Sequence, residues 1–154
     1  MRIPITKPYI GKKEIYQIST VIQSGWVTQG PEVEAFENEF KIFVNAKYAV
    51  AVSSCTTGLH LALKAVGVKE NDEVITASHS YIATANSIRY CGAIPVFIDI
   101  EPKTYNINPN LIENAISKKT KAILCVHQIG MPCDLTKILE VAKKYNLHVI
   151  EDAA

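Results

Sequence analysis

An alternation of short strand-like runs with helical segments constrains this chain more than any other feature. From Tyr48 onward the apolar, β-rich runs "YAVAVS", "EVITA", "IPVFIDI", "KAILCV" and "HVIED" are separated by "TTGLHLALKAV", "YIATANSIRYCG", "PNLIENAIS" and "LTKILEVAKKY". Alternation of this kind predicts an α/β fold, a mainly parallel sheet with crossover helices. The runs are apolar nearly throughout, as strands covered on both faces should be. Two helical patterns come first: Ile15, Ile18 and Ile22 line one face before Gly25, and Val33, Phe36 and Phe40 line another after Pro31. The expected organisation is an N-terminal helical segment, residues 1–45, and an α/β part, residues 46–154, with no linker inside it. The last run, "HVIEDAA", reaches Ala154 without a following helix, so the domain is expected to be incomplete at that end.

Composition removes several function classes. Apolar residues make up 48%, charged residues 20%, and the net charge is +1; this suggests neither disorder nor a surface for nucleic acid. The start, "MRIPITKPYIGKKEI", has no apolar signal core, and no run approaches the ~20 residues that span a bilayer. A cytoplasmic protein without membrane contact is expected. The four cysteines, Cys55, Cys91, Cys125 and Cys133, form no Cys-x-x-Cys pair and have no His at zinc spacing, so no metal is expected. Cys91 and Cys125 read as small buried hydrophobes.

Chemistry is expected at the carboxyl ends of the strands, where open α/β sheets bind ligands and helix N-termini present free N–H groups. Ser54, Cys55, Thr56 and Thr57 fall at such a junction. Small polar groups there fit a phosphate cradle, although taken alone they read first as a simple N-cap. Tyr81, after "EVITA", is either a plate for a flat ring or a core residue. At the end of "HVIED", strand alternation sends Glu151 and Asp152 to opposite faces; Asp152 is a counter-ion or a helix cap. Together, an anion cradle, an aromatic plate and a carboxylate match the demands of pyridoxal phosphate: an anion, a ring and a pyridinium nitrogen.

The segments "SGWVTQGPEVEAFENEF", "VSSCTTGLHLALKAVGV", "DEVITASHSYIATANSIRYCGAIPVFIDI", "TKAILCVHQIGMPCD" and "VIEDAA" resemble, in order and spacing, the DegT/DnrJ/EryC1/StrS sugar aminotransferases, perosamine synthase-like members most of all. The resemblance implies the three-layer large domain of fold type I pyridoxal-phosphate enzymes, truncated. It implies phosphate contacts from the Cys55 and Thr56 amides and the Thr56 hydroxyl, a ring stacked on Tyr81, and Asp152 paired with the ring nitrogen. His127, Gln128, Trp26 and Gln29 are candidates for the vicinity of the site, with turn or packing roles open to each; Asp134 reads as a helix cap.

The resemblance further implies a homodimer that moves an amino group, from glutamate, onto a keto group of a nucleotide-linked sugar for surface polysaccharide or antibiotic sugars. The family's Schiff-base lysine is expected beyond Ala154, leaving no catalytic residue in this chain and no turnover by it alone. Two alternatives stay open: a lysine-lacking sugar dehydratase of the same family, and a non-catalytic α/β binding module.

Overall fold

The computed structural model describes residues 7–154; the first six residues of the expected helical segment lie outside the described residues. The chain divides into two compact units, Met1–Ala51 and Val52–Ala154.

In the first unit, α1 (Lys12–Ser24) and α2 (Pro31–Phe43) form where the apolar periodicity places them. At the start of α1 the Gly11 amide donates to Glu14 Oε2 (2.6 Å), which satisfies one of the orphan donors of a helix N-terminus. Gly25 then ends the helix at φ 75°, the left-handed conformation that glycine adopts without steric cost. Neither helix buries a residue; Ile15, Ile18, Ile22, Phe36 and Phe40 are all exposed.

Between the helices Trp26 Nε1 donates to the Gln29 carbonyl (2.7 Å), and the indole lies so close to Gly30 that a Cβ there would meet Nε1 at 2.0 Å. Gly30→Ala is therefore expected to expel the ring, at about 1–3 kcal/mol for the overpacking. As Trp26 is the chain's one tryptophan, a shift in intrinsic emission reads the displacement directly; unchanged emission would count against the contact.

The second unit is a parallel sheet of β1 (Glu73–Ala77), β2 (Ile94–Ile98), β3 (Thr120–Val126) and β4 (His148–Asp152), in the order β2-β1-β3-β4. The helices between them are α3 (Cys55–Ala65), α4 (Ile82–Tyr90), the short α5 (Pro109–Ile112) and α6 (Leu135–Tyr145). Alternation along the strands separates two cores. Val74, Ala122, Leu124 and Ile150 pack with Leu59 and Leu63 of α3 and Ile88 of α4. Ile75, Ile123 and Cys125 pack with Ile112 of α5 and Ile138 of α6. Two helical layers thus cover the sheet, giving the expected three-layer α/β arrangement. Cys91 and Cys125 are buried in these cores as expected, and Asp134 caps α6 by accepting from the Lys137 amide (3.2 Å).

One expected strand is not formed. Residues 48–53 of "YAVAVS" have no ladder partner among the described residues, and the run leads into α3 as unpaired chain. β-propensity makes a segment ready for a sheet, whereas the strand itself exists only through hydrogen bonds to a neighbour. Within the first unit, the Ala51 amide instead donates to Glu37 Oε1 (2.7 Å).

Candidate functional site

The order β2-β1-β3-β4 has a reversal in it: the chain leaves β1 toward one side of the sheet to make β2, and β3 is laid down on the other side of β1. Loops leaving β1 and β3 diverge at such a switch point and open a crevice at the carboxyl ends. The residues singled out above in the second unit cluster near these ends.

Asp152 closes β4 on the same face as Ile150, the face covered by α3 and α4. It is 5% exposed. Thr84 of α4 donates its hydroxyl to Oδ2 (3.2 Å); Oδ1 accepts from the Cys55 thiol (3.5 Å) and the Ala154 amide (3.3 Å). All three donors are neutral, and among the described residues no Lys, Arg or His pairs with it. A carboxylate buried that far is ordinarily paired with a cation. Burial, followed by the charge and the hydrogen bond of Asp152, pushes the Cys55 thiol above its usual range, so at neutral pH Cys55 is a thiol donor and not a thiolate.

Cys55 is also the first residue of α3. Ser54, in extended conformation, caps the helix by accepting from the Thr57 amide (3.2 Å), and the Gly58 amide bonds to the Ser54 carbonyl (3.0 Å). The N-cap is thus real at Ser54. The amides of Cys55 and Thr56 have no acceptor among the described residues, and such groups at the positive end of a helix attract anions. Cap and cradle are compatible in one turn.

Tyr81 stands at the N-cap of α4 and is 77% exposed, which rules out a buried core role within this unit. Glu151 points away from Asp152, exposed, and accepts from His127 Nε2 (2.9 Å). The Cys133 amide donates to His127 Nδ1 (3.0 Å), so the ring joins β4 to the loop that precedes α6. Gln128 donates its side-chain amide to the His79 carbonyl, across the crevice between the ends of β1 and β3. Trp26 and Gln29 belong to the other unit and bond to each other as described. Thr84 escaped the sequence reading; a Thr inside a helical run carries no signal until the helix is seen to place it against Asp152. Among the described residues no cluster of His, Cys, Asp and Glu could hold a metal ion, and no helix is long and apolar enough to cross a membrane.

Fold and crevice together define the class: a three-layer, parallel α/β protein with an unpaired buried carboxylate and a free helix N-terminus at the carboxyl edge of its sheet. Residues 8–154 match, and the chain belongs to, the DegT/DnrJ/EryC1/StrS aminotransferase family. It is 49% identical over 152 residues to the spore coat polysaccharide biosynthesis protein SpsC of Bacillus subtilis, covering 99% of this chain and 39% of SpsC. Among solved structures, DesV of S. venezuelae is 39% identical with a TM-score of 0.89, over 91% of this chain and 38% of DesV. NtdA of Bacillus subtilis, solved with bound cofactor PMP, is 36% identical with a TM-score of 0.89, over 99% of this chain and 37% of NtdA. The chain spans about two fifths of the length of the curated relatives it matches.

Proposed function

We propose that this chain is the cofactor-binding portion of a pyridoxal-phosphate-dependent aminotransferase that passes an amino group, from glutamate, to a keto group of a nucleotide-linked sugar. The observation that carries the reading is Asp152, a buried carboxylate served by neutral donors alone. A protonated pyridine nitrogen is the cation such a site lacks, and family membership together with the PMP bound by NtdA supports pyridoxal phosphate as its source.

The donor set fits the group. The Cys55 and Thr56 amides and the Thr56 hydroxyl would take the phosphate, Tyr81 the ring face and Asp152 the ring nitrogen. When bound, the cofactor supplies an electron-withdrawing ring. Asp152 keeps the nitrogen protonated, and Thr84 keeps the carboxylate oriented. The exposed apolar faces of α1 and α2 support a second subunit as partner, in a homodimer, and the name of SpsC supports polysaccharide synthesis as the setting, in the cytoplasm.

The test is a titration with pyridoxal phosphate followed by absorbance. Thr56→Val removes a donor to a charged group and is expected to weaken binding by about 1–3 kcal/mol, roughly 5- to 150-fold. Unchanged affinity would leave this turn as a helix cap and nothing more.

A further inference from the structure

Two loops at the carboxyl edge meet at one buried side chain. Asn106, 3% exposed, follows β2. Its Oδ1 accepts the Gln128 amide (2.9 Å), and its Nδ2 donates to the carbonyls of Met131 (2.9 Å) and Pro132 (3.0 Å). Its own backbone is anchored by the Glu101 amide, which donates to the Asn106 carbonyl (2.9 Å), and by the neighbouring Ile100–Ile107 bridge. The loop gripped in this way contains Ile129 at φ 51°, ψ 37°, with a side chain 99% exposed. A β-branched residue in the left-handed region is strained, and no packing of that side chain among the described residues compensates. Asn106, with bonds on both sides of Ile129, holds the conformation together with the loop's own Gly130–His127 and Met131–Gln128 backbone bonds. Gln128, whose backbone is so fixed, reaches with its side chain to the carbonyl of His79, two residues before Tyr81.

We propose that Asn106 is a positioning residue that sets the place of Tyr81, acting through the backbone of Gln128 and the Gln128 side chain. The role rests on the reading of Tyr81 as the plate for the cofactor ring; the relay itself stands on the contacts alone. Polar bonds fixed at both ends hold a loop more narrowly than apolar packing would, and an exposed tyrosine has no packing of its own to fix it.

The experiment compares hydrogen exchange in segments 78–84 and 127–133, and affinity for pyridoxal phosphate, among the unaltered protein, Asn106→Ala and Gln128→Leu. The protected amides of Ser78 and Thr84 report on the first segment, and those of Gln128, Met131 and Cys133 on the second. Asn106→Ala is expected to speed exchange in both segments, about tenfold for each buried hydrogen bond lost. Gln128→Leu keeps every bond that Asn106 makes to the loop backbone, so it is expected to speed 78–84 alone. Both variants are expected to weaken cofactor binding about tenfold, Gln128→Leu with an unchanged melting temperature. Wild-type exchange at 78–84 in Gln128→Leu overturns the relay, and it decides the matter even where Asn106→Ala does not fold. Faster exchange with unchanged cofactor affinity reduces Asn106 to a loop staple and overturns the positioning role. Failure of the unaltered protein to bind pyridoxal phosphate overturns the proposed function instead, with the exchange results still reporting on the relay.

Discussion

On the proposed function, Asp152→Asn in the whole enzyme of which this chain is the cofactor-binding portion is expected to lower amino transfer by about 10²- to 10³-fold, the usual cost of removing one preorganised electrostatic partner from an active site. The substitution keeps the shape, and the amide oxygen can still accept the Thr84 hydroxyl or the Ala154 amide. What disappears is the negative charge. Without it nothing among the described residues favours a proton on a pyridine nitrogen at that place, and the ring loses its capacity to withdraw electrons. Thermal unfolding should change little, since no ion pair among the described residues is broken. Transamination near the unaltered rate in Asp152→Asn would refute the counter-ion role. Thr84→Val is the informative companion: it leaves the charge and removes one bond to it.

The largest effect on stability is expected at Leu124. It lies in β3, between β1 and β4, fully buried against α3 and α4. Leu124→Ala deletes apolar contacts and leaves a cavity that a strand hydrogen-bonded on both sides cannot collapse to fill, a change that costs about 2–5 kcal/mol. Domains as a rule are stable by only about 5–15 kcal/mol. Urea unfolding should show a lower midpoint with an unchanged slope. Leu139→Ala, on the exposed side of α6, is the control and should stay within about 0.5 kcal/mol. Equal effects at the two positions would contradict the layer assignment.

Much of this architecture was legible in the sequence because its signals are local. "EVITA" and "HVIED" are β1 and β4 to the residue, and the alternation of Val74 with Ile75, and of Ile123 with Leu124, sorts them into the two cores. The same alternation separated Glu151 from Asp152. "YAVAVS" has the composition of a strand, but no neighbour among the described residues pairs with it. Of the residues proposed for the site, Cys55, Thr56, Tyr81 and Asp152 stand at the ends of runs, where a sequence reading looks for them. Thr84 and Asn106 did not. Their partners are 68 residues away for Thr84 and 22–26 away for Asn106, and a polar residue inside a helix or a turn has no periodicity that foretells such a partner.

The strand order also governs how this sheet can assemble in time. β1 is made first, yet it is an interior strand whose two neighbours both follow it; Thr76 meets Leu124 only after 48 further positions have been synthesised. At ribosomal speeds of about 5–20 residues per second, that interval is several seconds during which "EVITA" has one neighbour or none. Pairings so distant along the chain close late and slowly. A chaperone that covers apolar strands has its longest opportunity at β1.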